Sequence, residues 1–177
     1  MPQATALIDG NNFYASCEQS LDPSLIGRPV VVLSNNDGCI VARSAEARAL
    51  GIAMGTPYFK ARRELQRQNV VVRSSNYALY ADMSQRMMAV LEAHCEDLEI
   101  YSIDEAFGRL SRPGDGDLQR WARSLRARVR RDLGLPIAIG LGASKGQAKL
   151  ANRLAKHVPG HAGIFDLIRC ELSLIHI

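Results

Sequence analysis

The stretch EIYSIDEAFGRL, residues 99–110, decides how this chain folds. Two short runs of strand-forming residues, LEIYSI and AFGRL, nearly abut, and Asp104 and Glu105 stand where they meet. Runs this close leave no room for a crossover helix, so they predict an antiparallel pair with the acids at or near a tight hairpin tip. In a straight strand neighbouring side chains point to opposite faces. A bend at the tip would let both carboxylates turn toward one place. Adjacent carboxylates repel, and desolvating either is costly unless a cation or a hydrogen-bond network compensates. A solvated acidic turn is the simplest reading of such a tip, and a cation site is the alternative.

Toward the N-terminus, TALID reads as a short buried strand ending at Asp9. A turn and a helix follow over GNNFYASCEQSL, with Asn11 or Asn12 as its cap. A compact sheet would bring Asp9 beside the hairpin tip, although no spacing in the sequence joins Asp9 to Asp104. Three converging carboxylates, Asp9, Asp104 and Glu105, form an all-oxygen donor set. That set suits Mg²⁺ or Mn²⁺ rather than zinc. Two such ions ~4 Å apart are the machinery of phosphoryl transfer. Cations able to hold a triphosphate are also present, in Arg48 and Lys156. Phe13 and Tyr14 follow Asp9 closely; a ring there would stack on a sugar or base, while core packing is the plainer reading of Phe13.

Between these points the chain alternates strand and helix. RPVVVLS is a strand stopped by the turn-rich NNDG. SAEARALGI is a short helix with Ser44 as N-cap and Gly51 past its end. A further helix over PYFKARREL and a strand over NVVVRSS come next. From Tyr80 to His94, Met83, Met87, Val90 and Leu91 recur at helical spacing. In DLQRWARSLRARVRRDLG, Asp117 caps a helix that buries Leu118, Trp121, Leu125 and Val129 and ends at Gly134. LPIAIGLGAS is a strand, and SKGQAKLANRLAK is a helix capped by Ser144. Leu150, Ala151, Leu154 and Ala155 make its apolar face, and Lys145, Lys149, Arg153 and Lys156 a basic stripe. GIFDL closes the series as a strand. The block from about residue 15 to 78 stands apart from the rest, and the expected architecture is α+β, an antiparallel sheet backed by helices on one face.

Composition narrows the class. At 177 residues and 47% apolar the chain has enough for one domain or two small ones and is no disordered polymer. Its longest apolar runs, PVVVL and PIAIGL, are far short of the ~20 residues that span a bilayer. MPQATALIDG has no basic stretch followed by an apolar one, so no signal peptide is expected and the location is cytoplasmic. Cys17, Cys39, Cys95 and Cys170 form no C-x-x-C pair and read as free thiols. The histidines show no ligand spacing. A net charge of +4 favours nucleic acid over membrane only weakly.

Five ordered segments carry a resemblance. LIDGNNFYASCE, PVVVLSNNDGCIVARSAEARALGIAMG, SSNYALYADMSQRM, EIYSIDEAF and GLGASKGQAKLANRLAK together resemble the Y-family translesion DNA polymerases, most closely their UmuC branch. The likeness runs from about residue 4 to 167. It implies a ferredoxin-like palm over residues 1–14 and 79–167, with a small fingers domain, 15–78, inserted after the first strand. It implies that Asp9 and Asp104 bridge two Mg²⁺ ions, for which Mn²⁺ can substitute. Glu105 would complete the catalytic ion's site and the carbonyl of Gly10 would serve the nucleotide-bound ion. Tyr14 matches the steric gate that excludes a 2′-hydroxyl, and Arg48 and Lys156 match the residues that bind the triphosphate. The implied substrates are primer-template DNA and deoxynucleoside triphosphates, and the implied partners a UmuD′-like subunit and RecA. Many members carry a tyrosine where this chain has Ala45, so triphosphate grip would rest more on Arg48 and Lys156. The tail IRCELSLIHI, residues 168–177, resembles nothing in the family, and the thumb and little finger are not expected in this chain. Two other functions compete: a palm-type nucleotidyl cyclase, and a catalytically inert DNA-damage scaffold or remnant.

Overall fold

In the computed structural model the described residues are 3–111, 117–158, 160 and 162–169. They form two compact units: one from the N-terminal strand and the chain from Ser84 onward, the other from Asn12–Met83. The division falls within a helix, α4 (Tyr77–Glu92).

The first unit is built on five strands: β1 (Gln3–Gly10), β5 (Asp97–Ile100), β6 (Glu105–Ser111), β7 (Ile137–Gly142) and β8 (Ile164–Asp166). Their order is β5-β6-β1-β7-β8. The run ATALI places β1 at the centre, antiparallel to both β6 and β7, and Ala4, Ala6, Leu7 and Ile8 are buried there. The sheet is not antiparallel throughout, because β8 pairs parallel to β7. A parallel pair needs a crossover, and α6 (Lys145–His157) lies between those strands in sequence.

Two glycines of β7 govern how α6 packs. A Cβ on Gly142 would stand 2.6 Å from the backbone N of Ala148, and one on Gly140 would meet the backbone of Ala148 and Asn152. The helix therefore lies directly on the strand, and its buried face is made of small residues, Ala148, Ala151, Asn152 and Ala155. This corrects the expected apolar face: Leu150 is exposed, since a leucine has no room in so close an approach. Asn152 is satisfied by donating to the carbonyls of Leu7, at 3.2 Å, and Ala138, at 3.1 Å. In α5 (Asp117–Leu133) the buried stripe is Ala122, Leu125 and Val129. Trp121 is half-buried instead, with its indole N–H donated to the carbonyl of His94 at 2.9 Å. The capping side chain expected of Asp117 falls outside the described residues.

The second unit holds α1 (Phe13–Leu21), α2 (Ala45–Ala49), α3 (Tyr58–Arg67) and a three-stranded sheet. Its strands, β2 (Val30–Leu33), β3 (Ile40–Arg43) and β4 (Val71–Arg73), lie in the order β3-β2-β4. β3 has no counterpart in the sequence reading, where CIVAR runs straight on from a turn. Val31, Leu33, Ile40, Ala47, Ile52, Leu65 and Val70 form the core. The Ser44 hydroxyl caps α2 by accepting from Ala47 N–H, and also accepts from Val30 N–H of β2. Asn12 occupies the N-cap position of α1 in the left-handed region, at φ 51°, and its side chain makes no capping bond. Asparagine tolerates that conformation, and here it turns the chain sharply rather than capping it.

Helix α4 starts at Tyr77, three residues earlier than its periodicity suggested. Among the described residues Cys17, Cys39 and Cys95 are free thiols, and no helix is long and apolar enough to cross a membrane. Of the expected tail, residues 170–177 lie outside the described ones, while Ile168 is buried.

Candidate active site

Within the first unit, five of the expected residues meet. In the β1–β6 pairing Asp9 sits directly opposite Glu105. Directly opposed Cβ atoms in an antiparallel pair are about 5 Å apart, so the Asp9 and Glu105 carboxylates come close across the strands. Glu105 is accordingly the first residue of β6 rather than the hairpin tip; the bend is made by Ser102, Ile103 and Asp104. The backbone ties the bend to β1, for Gly10 N–H donates to the carbonyl of Asp104 at 2.8 Å.

Ser102, which no sequence signal singled out, organises the turn. Its hydroxyl donates to the Asp104 carboxylate at 3.0 Å and accepts from Glu105 N–H at 3.1 Å. A serine two residues before an acid in a turn is a local hydrogen-bonding pattern that would have found it.

Lys156 completes the cluster. Strand alternation puts Leu7 and Asp9 on one face of β1, and that face is covered by α6, whose Ala148 packs with Leu7 and Phe107. Two turns further along α6, the Lys156 ammonium lies 2.6 Å from a carboxylate oxygen of Asp9. Asp9 is 6% exposed. Burial, followed by a hydrogen bond with Glu105, pushes its pKa from 3.8 up to about 6, against the opposing pull of Lys156. Burial also raises Asp104, with Ser102 pulling the other way.

Two more lysines of the basic stripe, Lys145 and Lys149, make contacts of their own. Lys149 sits 4.1 Å from the centre of the Tyr101 ring, Lys145 lies 5.3 Å from that of Phe107, and Lys145 pairs with Glu99 at 2.5 Å. Such contacts are each worth roughly 0.5–1 kcal/mol at exposed sites.

The other expected residues belong to the second unit. Phe13 is buried, as a core residue would be. Tyr14 stacks on Tyr80, with ring centres 4.3 Å apart and planes 13° apart. Arg48 lies in the last turn of α2 with its side chain exposed, and Ala45 opens the same helix.

Among the described residues, no group of three or more His, Cys, Asp or Glu side chains is arranged to hold a metal ion. The nearby acids are engaged with Lys156, with one another and with Ser102. Their chemistry nonetheless fits a hard cation. The donors are all oxygen, and Asp9, Asp104 and Glu105 stand together where the β1–β6 pairing meets the bend.

Comparison with known proteins points in one direction. The impB/mucB/samB family matches residues 8–153. The protein UmuC of Salmonella typhimurium is 54% identical over 152 residues, 85% of this chain and 36% of its own length. The protein MucB of Escherichia coli is 47% identical over 163 residues, 92% of this chain and 39% of its own. Among solved structures, the insertion ternary complex of Dbh DNA polymerase superposes with a TM-score of 0.75 at 26% identity, over 83% of this chain and 44% of that one. The chain thus spans less than two-fifths of the length of these curated relatives.

Proposed function

The chain belongs to the impB/mucB/samB family of Y-family polymerases, and from that premise we propose that it carries the nucleotidyl-transfer centre of a translesion DNA polymerase. The reaction is attack of a primer 3′-hydroxyl on the α-phosphorus of a deoxynucleoside triphosphate. The new P–O bond forms as the bond from the α-phosphorus to the α–β bridging oxygen breaks, the hydroxyl proton passes to solvent water, and pyrophosphate leaves with the electron pair of the broken bond. Residues 1–14 and 79–167 act as the palm and 15–78 as the fingers.

The observation that carries this reading is the cross-strand facing of Asp9 and Glu105, with Asp104 fastened to Gly10 beside them. Asp9, Asp104, Glu105 and the Gly10 carbonyl would hold two Mg²⁺ ions, or Mn²⁺ in their place. Such ions, when bound, acidify the primer hydroxyl and offset charge on the leaving phosphates. Lys156 and Arg48 would each offer a cation to the triphosphate. Tyr14 is the surface against which the sugar packs, and a 2′-hydroxyl clashes there. Phe13 holds Tyr14's helix in the core. The substrates are primer-template DNA and deoxynucleotides. A UmuD′-like subunit and RecA are the partners that family membership suggests, in the cytoplasm.

Single-nucleotide insertion, run with high protein concentration and Mn²⁺, tests the reading. Binding of Mn²⁺ with a deoxynucleoside triphosphate is titrated in parallel by electron paramagnetic resonance. The expected result is insertion and Mn²⁺–nucleotide binding by the native chain, both lost in Asp104→Asn. Equal Mn²⁺ uptake by the two proteins would overturn the assignment, and cyclic product from ATP would replace it with a cyclase.

A further inference from the structure

Tyr80 lies outside that machinery, yet the structure ties it to Tyr14 at two points. Its side chain is fully buried. One face of its ring lies flat against Tyr14, 4.3 Å between centres. Its hydroxyl donates to a carboxylate oxygen of Glu18 at 2.8 Å. Glu18 follows Tyr14 by four residues on α1, so the two share a face of that helix. Tyr80 therefore holds α1 at successive turns, by stacking at one and by a hydrogen bond at the next.

The hydroxyl end is anchored in turn. Glu18 is 3.9 Å from Arg73 Nε, and Arg73 reaches Asp22 at 3.1 Å. Burial raises the Tyr80 phenol well above its ordinary range, so it stays a donor at any physiological pH. Tyr77, three residues before Tyr80 on α4, sets its ring edge-on to both others, 6.0 Å from Tyr14 and 6.1 Å from Tyr80. Tyr14 thus has a ring beneath it and a ring across it.

A side chain that discriminates by clash must not yield. Displacement by a fraction of an ångström would admit one more oxygen atom, and placement to about 0.5 Å comes from neighbours whose own rotamers are locked. We propose that Tyr80 is a positioning residue that sets sugar selection: clasped to Glu18, its buried ring fixes the Tyr14 ring in the orientation that excludes a 2′-hydroxyl. This rests on the reading of Tyr14 as the residue that packs against the sugar.

Two substitutions grade the effect. Tyr80→Phe keeps the stack and cuts the clasp to Glu18. Tyr80→Met keeps apolar volume and removes the ring. Flipping of the Tyr14 ring, followed by NMR of labelled tyrosine and assigned with Tyr14→Phe, needs no nucleotide. It should be slow in the native chain, faster in Tyr80→Phe and fastest in Tyr80→Met. The preference for a deoxynucleoside over a ribonucleoside triphosphate, from Mn²⁺-supported binding titrations, should fall about threefold in Tyr80→Phe and about tenfold in Tyr80→Met. If Tyr80→Met does not fold, Tyr80→Phe is read alone with the same expectation.

Native flipping and native preference in the variants would overturn the proposal. Faster flipping with unchanged preference would overturn the link to sugar selection. If the native chain itself shows no preference, the failure lies with the reading of Tyr14, and the proposal falls with it, whatever the ring motion.

Discussion

At Asp9 the sheet sets one carboxylate against another and lays an ammonium over one of its oxygens. The consequence for stability follows from its pKa, 3.8 in an ordinary carboxyl and about 6 here. Below the lower value Asp9 is protonated whether the chain is folded or not, and nothing is lost. Between the two values the unfolded chain releases its proton first, so stability falls as pH rises. Above about 6 the full cost, on the order of 3 kcal/mol, is present. Asp9→Asn mimics the protonated acid. In metal-free buffer its melting temperature should match the native chain's near pH 4 and exceed it at pH 7.5. A gap that stays constant across that range would refute the account. Lys156→Met removes the two influences that lower Asp9, hydrogen bonding and charge. The Asp9 carboxyl should then titrate above its native position when followed by ¹³C NMR. The sequence marks these residues as chemically active types, but it is silent on how Lys156 and Glu105 divide Asp9 between them. That division depends on strand register and on one helix's placement.

Among the elements, α6 shows how much rests on absent side chains. Gly140→Ala drives a methyl into the backbone of Ala148 and Asn152, which cannot swing aside as a flexible side chain would. The expected loss is about 3 kcal/mol or more by denaturant titration, along with displacement of Lys156 from Asp9. Gly146→Ala, within the same helix, meets only the Ser144 hydroxyl oxygen at 3.9 Å. It should stabilise by about 0.5–1 kcal/mol, because alanine restricts the unfolded chain. Opposite signs for one substitution would confirm close packing as the cause, and losses of similar size at both sites would refute it. Ser44→Ala should cost about 1–2 kcal/mol, since it removes the cap of α2 and leaves Val30 N–H without its acceptor. The caps at Ser44 and Ser144 were legible because capping is local and carries a residue signature. The buried face of α6 was not, because periodicity rates leucine above alanine and cannot register the glycines of another element.

For the molecule as a whole, net charge is small and the described basic side chains are partly engaged. Lys145 pairs with Glu99, Lys156 with Asp9, and Arg126 donates to the carbonyl of Ile137. Phosphate contacts by free basic groups supply most non-specific DNA affinity. On the proposed reading, added salt should weaken the chain's binding to primer-template DNA only gently in fluorescence anisotropy, as its small net charge dictates. A steep salt dependence would count against this. Local pattern is enough to yield the kinds of elements, most of their order, the family, and the pairing of Asp104 and Glu105 near one bend. Those properties follow from side-chain periodicity and from residues adjacent in the chain. The folded chain was needed to reveal that Asp9 faces Glu105, that Lys156 reaches Asp9, that β8 runs parallel to β7 and that Tyr80 lies beneath Tyr14. Each joins residues distant along the chain, and their meeting depends on register and packing that no local pattern encodes.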